Sequence, residues 1–315
     1  MTNHAFDRER MRREVAAGLG GTPREISPKY FYDERGSRLF DQITRLDDYY
    51  PTRTERALLE RFSTDWITGI RTRCLVELGA GSADKTRILL DAMHAAGTAE
   101  LYVPVDISAD YLEDVAAGVD RAYPDIEVRP AVADLTGELA LDGALPRPMV
   151  VAFLGSTLGN FDREAARGLL RRVRALLRPG DRFLLGLDLV KQPAVLEAAY
   201  NDADGVTADF NLNVLEVLNR ELGADFRPEA FRHHAFWNAE ESRIEMHLVS
   251  DAPQTVAIPG VGTFDFAAGE SVRTEISRKF DRPGAEAMLG AAGLRLVRWE
   301  TDARDWFALA VGAPA

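Results

Sequence analysis

From Cys74 onward, short apolar runs alternate with longer amphipathic segments. CLVEL (74–78), LYVPVDI (101–107), VRPAVAD (128–134), MVVAFLG (149–155) and RFLLGLDL (182–189) read as strands. Between them, ADKTRILLDAMHAA (83–96), ADYLEDVAAGVDRAY (109–123) and DREAARGLLRRVRALL (162–177) read as helices. Strands separated by helices at this spacing predict βαβ units on a parallel sheet, an α/β doubly wound Rossmann-like architecture.

Past Asp188 the pattern changes. A helical stretch from about Pro193 to Leu222 precedes two alternating segments, 232–250 and 256–280, whose Gly and Pro turns predict antiparallel hairpins. Residues 282–312 then return to helix, strand, turn and strand. An α+β segment is therefore expected to interrupt the α/β domain. The expected boundaries are 54–189 with 281–315 for the α/β domain, and 8–53 with 190–280 for the inserted one, since the N-terminal segment precedes the first sheet strand. No internal repeat or low-complexity tract is present.

The 315 residues are 46% hydrophobic, enough for sizeable cores. With 38 basic against 50 acidic residues the net charge is −12, which repels nucleic acid and anionic membrane and favours a small-molecule partner. Cys74 is the single cysteine, so an intrachain disulfide and a cysteine metal site are excluded; it is expected to pack as a small hydrophobe. The N-terminal segment MTNHAFDRERMRREVAAGLGG has no apolar signal core and no apolar run is long enough to span a bilayer, so a cytoplasmic location is expected. A monomer is also expected, and no metal: His233 and His234 are adjacent and would face opposite sides of a strand.

The first strand ends in ELGAGSADKT, residues 77–86. Lys85 and Thr86 follow Gly79 at nearly P-loop spacing, but the glycine a P-loop needs before its lysine is Asp84, whose carboxylate would repel phosphate. A dinucleotide turn lacks its third glycine at the same place. A ligand without phosphate fits better, with Gly79 and Gly81 allowing a tight turn and the helix starting after Ser82. Methyltransferases that use S-adenosylmethionine carry such an acidic-x-Gly-x-Gly turn, here Glu77-Leu78-Gly79-Ala80-Gly81. Asp106 ends the second strand, where a carboxylate would accept both ribose hydroxyls. Asp134 ends the third, suited to the adenine amino group, with Leu135 against the ring. Each aspartate also has a plain reading as a loop or capping residue. The closing GLRLVRWETDARDWFALAVG is similar to the antiparallel pair that completes class I methyltransferase sheets.

Two further stretches, KYFYDERGSRLFDQITRLDDYYPTRTE (29–55) and FLGSTLGNFDREAA (153–166), together with ELGAGSADKT, resemble the histidine Nα-methyltransferases of ergothioneine biosynthesis from about residue 25 to the C-terminus. The resemblance implies successive methylation of the α-amino group of L-histidine to Nα,Nα,Nα-trimethylhistidine (hercynine), with S-adenosylmethionine as donor and no metal. It also implies a Rossmann-like class I methyltransferase domain and an inserted α+β substrate-binding domain that enclose the amino acid. By resemblance, Gly79, Gly81, Lys85, Asp106, Asp134 and Leu135 hold the cofactor. Tyr32 and Tyr49 lie near the amine and carboxylate, beside an aromatic wall at Phe40. The Gly155 carbonyl faces the amine, while Asn160 and Tyr200 contact the carboxylate. For any single aromatic, core packing remains the plain alternative.

In VRTEISRKF, strand alternation puts Glu275 and Ser277 on one face and Ile276 on the other. A carboxylate and a hydroxyl two residues apart can serve both imidazole nitrogens, and the resemblance gives them that role. Met246 is similar to a residue lining the same pocket, or is core filler. Glu275 could instead sit on an exposed strand, paired with Arg273 or Lys279 on the same face. Competing functions are an Nα-methyltransferase for another amino acid, such as a tryptophan derivative, and a noncatalytic S-adenosylmethionine-binding protein. An indole offers only a donor, so Glu275 with Ser277 argues against the first.

Overall fold

In the computed structural model, residues 7–315 are described apart from Ser82, Ser108 and Glu138. The chain forms two compact units, one of residues up to Tyr50 with Lys191–Ser277 (the α+β unit), the other of Pro51–Val190 with Arg278–Ala315 (the α/β unit). In chain order, helices α1 (Arg8–Gly20) and α2 (Glu34–Ile43) lead into α3 (Tyr50–Ile70). The α/β unit continues with β1 (Cys74–Leu78), α4 (Thr86–Ala95), β2 (Leu101–Asp106), α5 (Ala109–Ala122), β3 (Glu127–Val128), β4 (Ala131–Val132), β5 (Met149–Phe153), α6 (Arg163–Leu176) and β6 (Arg182–Asp188). Next come α7 (Pro193–Ala198), α8 (Val206–Leu222), β7 (Phe231–Asn238), β8 (Arg243–Ser250), β9 (Gln254–Ile258), β10 (Gly262–Phe266) and β11 (Ser271–Arg278). The chain closes with α9 (Arg282–Gly290), β12 (Leu294–Thr301) and β13 (Phe307–Pro314).

The large sheet runs β12-β13-β6-β5-β1-β2-β3, with β4 also on β2. Its central pairs are parallel, and β13 is antiparallel to both neighbours. Strands β1 and β5 are buried along their whole length because helices cover both faces. Alternation sorts their side chains: Val76, Leu78, Val151 and Phe153 pack with Leu169 and Leu170 of α6 and Leu289 of α9. Leu75, Val150 and Ala152 pack on the other face with Leu58 and Leu59 of α3 and Leu89 and Leu90 of α4. Each buried leucine or valine contributes about 1.5–3 kcal/mol, so the two faces anchor the sheet's carboxyl edge firmly. Cys74 is a core residue here, and burial pushes its thiol up to about 12.

Three expectations need correction. VRPAVAD is not one strand: Pro130 has no N–H to give the ladder, so pairing with β2 is split into β3 and β4. The helix after the glycine turn begins at Thr86, because Ala83 has φ +54°, a left-handed conformation that a helix cannot contain. Ser82, placed by the sequence reading just before that helix, lies outside the described residues. The stretch from Pro193 to Leu222 is two helices: α7 stops at Ala198, and Asp202 accepts the N–H groups of Val206 and Thr207 at 2.8 Å each, satisfying the first donors of α8.

In the α+β unit, β11, β8 and β7 form a three-stranded sheet, and β9 and β10 a separate hairpin. Helix α8 is its core, burying Phe210, Val214, Leu215 and Leu218 as well as the polar Asn211 and Asn213. Asn213 donates to Asp33 at 2.8 Å, and Asp33 caps α2 by accepting the Gly36 N–H at 2.8 Å. This bond fixes α2, and so the segment from Tyr32 to Phe40, onto α8.

Candidate active site

The turn after β1 needs its glycines. Gly79 has φ +66° and Gly81 φ +49°, left-handed values at which other residues are strained. Gly79 and Ala80 donate to the Val105 carbonyl at 2.8 and 3.1 Å, clamping the turn to the end of β2. There Asp106 accepts the Gly81 N–H at 3.3 Å and the Ile107 N–H at 2.7 Å. Asp134, just past β4, accepts the N–H and hydroxyl of Thr136 at 2.8 and 2.6 Å. Leu135 packs against the core, with its carbonyl held by Arg172 at 2.6 Å. Gly79, Gly81, Asp106, Asp134 and Leu135 thus all gather beyond the carboxyl ends of β1, β2 and β4, the edge where open α/β sheets bind ligands. Left-handed glycines next to a carboxylate fit S-adenosylmethionine.

Glu77, the acidic member of that turn signature, points into the protein. It is buried, accepts the Tyr102 hydroxyl at 2.5 Å and bonds Thr86 at the start of α4. Burial pushes its carboxyl up to about 7 despite these bonds and the Lys85 charge. A carboxyl with a folded value above the unfolded one contributes stability that is complete below about 4.5 and is lost as pH rises through about 7. Glu77→Gln removes this dependence. Relative to wild type, the variant is expected to gain about 2–3 kcal/mol in urea unfolding between pH 5 and 8; a stability difference that stays constant with pH would contradict the assignment.

After β5 the chain turns through Gly155 (φ +74°) and Ser156 (φ +57°) into a 3-10 turn, Thr157–Asn160. Gly159 is obligatory there, because a Cβ would lie 2.6 Å from the Arg278 carbonyl oxygen. Asn160 ends the turn and is half-buried. The Gly155 N–H donates to the carboxylate of Glu55, at 2.9 Å to each oxygen, and Glu55 is ion-paired with Lys85.

The α+β unit gathers the other expected residues into one chain of contacts. Ring centroids lie 5.8 Å apart for Tyr32 and Phe40, and 6.3 Å for Phe40 and Tyr49 and again for Tyr49 and Tyr200. Tyr200 then donates to Ser277 Oγ at 2.7 Å. Met246 is buried on β8, its carbonyl accepting Thr274 Oγ1 at 3.1 Å, which sets it beside the residue preceding Glu275. Glu275 is buried, so the exposed-strand alternative is wrong; Lys279 pairs with Asp188 at 2.8 Å and Arg273 with Glu25 at 2.6 Å.

Phe210, Asn211 and Glu55 are not singled out by the sequence, and His233 is weighed there only as a metal ligand. Phe210 of α8 packs on both Tyr32 and Phe40, with centroids at 5.8 and 6.0 Å. Asn211 accepts from Thr274 at 2.6 Å and donates to the His247 carbonyl at 3.1 Å, tying α8 to β11 and β8. It also donates to His233 Nδ1 at 2.8 Å, so His233 carries its proton on Nε2 and donates it to the Tyr200 carbonyl at 2.8 Å. Burial lowers the His233 pKa, consistent with a neutral ring. Glu55 belongs to the α/β unit. A phenylalanine in an amphipathic helix looks like core, and no spacing rule marks a lone Asn, His or Glu whose partners are distant in sequence.

Residues 11–313 match the family described as histidine-specific, S-adenosylmethionine-dependent methyltransferases. The chain is similar to the histidine N-alpha-methyltransferase of Mycobacterium tuberculosis (strain CDC 1551 / Oshkosh), with 45% identity over 306 residues covering 96% of this chain and 94% of that one. It is 46% identical over 304 residues to the histidine N-alpha-methyltransferase of Mycolicibacterium smegmatis (strain ATCC 700084 / mc(2)155), with coverage of 96% and 94%. A crystal structure of an S-adenosylmethionine-dependent methyltransferase from Clostridium acetobutylicum ATCC 824 shares the fold, with TM-score 0.50, 12% identity, and coverage of 89% of this chain and 98% of that one. The left-handed glycine turn against Asp106 and the match over residues 11–313 lead to one conclusion: the chain belongs to the histidine-specific, S-adenosylmethionine-dependent methyltransferases.

Proposed function

We propose that this protein transfers methyl groups from S-adenosylmethionine to the α-amino nitrogen of L-histidine, three in succession, forming hercynine as the first step of ergothioneine biosynthesis. The observation that carries this reading is the unbroken line of contacts from Tyr32 through Phe40, Tyr49 and Tyr200 to Ser277, two residues from Glu275 on β11. A line of aromatic rings, three of them tyrosines, ending on an acceptor and a hydroxyl suits a small zwitterion with an imidazole ring.

In this reading Glu275 accepts from the protonated imidazole nitrogen. Ser277, itself accepting from Tyr200, donates to the other. Tyr200 and Asn160 hold the carboxylate, while Tyr32, Tyr49 and the Gly155 carbonyl orient the amine. S-adenosylmethionine supplies an electrophilic methyl group on a sulfonium. The amine must lose a proton before each transfer, because its lone pair makes the new C–N bond. An ordinary tyrosine pKa of about 10 makes a poor base near neutrality, so these tyrosines act chiefly by alignment while the proton leaves through water or a hydroxyl.

Asp106 is proposed to bind the ribose hydroxyls, and Asp106→Ala is expected to weaken S-adenosylmethionine binding by roughly 10- to 100-fold in calorimetric titration. An affinity within twofold of wild type would remove that role. The reaction itself is tested by a time course of L-histidine with excess S-adenosylmethionine, with methyl positions read by NMR. Mono-, di- and trimethylation confined to the α-nitrogen is expected; methylation of a ring nitrogen would overturn the proposal.

A further inference from the structure

Glu55, near the start of α3, has a fully buried side chain whose carboxylate meets three separate parts of the α/β unit. It accepts the Gly155 N–H on both oxygens at 2.9 Å. It is ion-paired with Lys85, the residue that precedes α4 at the end of the glycine turn. Its Oε1 also fills the space above β6 that a side chain on Gly186 would take, 1.8 Å from the ideal Cβ position. Glycine at 186 is therefore what admits the carboxylate.

A carboxylate buried this deeply needs full compensation, and the ammonium and the backbone N–H supply it. The converse also holds. The Lys85 Nζ lies 3.5 Å from the ideal Cβ position of Gly155, so without Glu55 a bare ammonium would stand beside the loop. Both a sulfonium donor and an unreacted ammonium substrate are cations, and an uncompensated charge there opposes them.

We propose that Glu55 is a positioning residue for methyl transfer. It links Lys85, at the end of the cofactor turn, to the loop after β5, and it holds Gly155 in the left-handed conformation (φ +74°) that presents its carbonyl. This inference rests on the histidine-methylating reading, in which the Gly155 carbonyl faces the amine. Glu55 touches neither substrate; it acts through Gly155 and Lys85.

The test uses the full chain with Glu55→Gln, Glu55→Asp and Gly186→Ala. Glutamine keeps the shape and one acceptor but loses the charge. Aspartate keeps the charge but withdraws it by one methylene. Gly186→Ala leaves Glu55 in the sequence and pushes its carboxylate off Gly155. The single-turnover methylation rate is expected to fall about 10- to 100-fold in Glu55→Gln and Gly186→Ala, with less than about threefold change in the KM for histidine. Glu55→Asp is expected to restore part of the rate lost in Glu55→Gln.

A folded Glu55→Gln protein with a rate within twofold of wild type would overturn the proposal, as would a loss confined to KM. Should Glu55→Gln fail to fold, Gly186→Ala decides by the same two criteria. The two ideas also fail separately. If wild type methylates a different amine, the substrate reading falls and the Glu55 comparison is made on that amine; if wild type methylates histidine and the variants match it, Glu55 alone loses its role.

Discussion

Glu275→Ala is expected to lower kcat/KM for L-histidine by about a thousandfold or more, with S-adenosylmethionine affinity unchanged within about twofold. Sites that recognise a substrate N–H or O–H lose discrimination on this scale when one partner of the bond is missing, because the other is left buried and unpaired. Glu275 and Ser277 are both buried at the end of β11, and Tyr200 donates to Ser277 at 2.7 Å, which sets the direction of the hydrogen-bond chain. Histidine can close that chain only with one nitrogen protonated and one bare. Glu275→Gln keeps an acceptor oxygen and is expected to lose only about tenfold, the cost of a charge-assisted bond becoming neutral. Steady-state kinetics on both variants decide the matter: an alanine variant within tenfold of wild type would place imidazole recognition elsewhere.

Gly36→Ala is expected to destabilise the α+β unit by roughly 3 kcal/mol or more, beyond the usual range for one methyl group. An ideal Cβ at this position would stand 1.7 Å from the Phe31 carbonyl oxygen and 3.2 Å from Asn213 Nδ2. The oxygen belongs to backbone and cannot rotate away, so α2 must slide off α8. That movement breaks the bonds from Gly36 and Asn213 to Asp33 at 2.8 Å each, and it displaces Tyr32 and Phe40 from Phe210. The expected readouts are a lower thermal midpoint and loss of histidine turnover in the same variant. A wild-type midpoint would mean that the close approach of α2 to Phe31 does not hold this unit together.

The α/β unit was legible in the sequence because its information is local. Apolar runs such as CLVEL and MVVAFLG are buried on both faces, and glycines at 79 and 81 occupy left-handed conformations that strain other residues. Where the reading slipped, a local competitor overrode periodicity: Pro130 interrupts a ladder, Ala83 adopts a left-handed turn, and Asp202 caps a new helix inside an apparently continuous one. The aromatic line from Tyr32 to Tyr200 came from resemblance, since each ring alone reads as core. Two other residues were invisible for a different reason. Asn211 and Glu55 act through partners 22 to 100 positions away, as in the bonds from Asn211 to His233 and from Gly155 to Glu55, and no spacing rule reaches that far.

The central claim is that this site selects histidine among amino acids and methylates its α-nitrogen. The most direct measurement is a competition in which the purified protein meets S-adenosylmethionine and an equimolar mixture of the twenty common amino acids, with mass gains followed over time by mass spectrometry. The account predicts that histidine alone gains methyl groups and ends as the trimethylated product. Unmodified histidine beside a methylated tryptophan or other amino acid would contradict it.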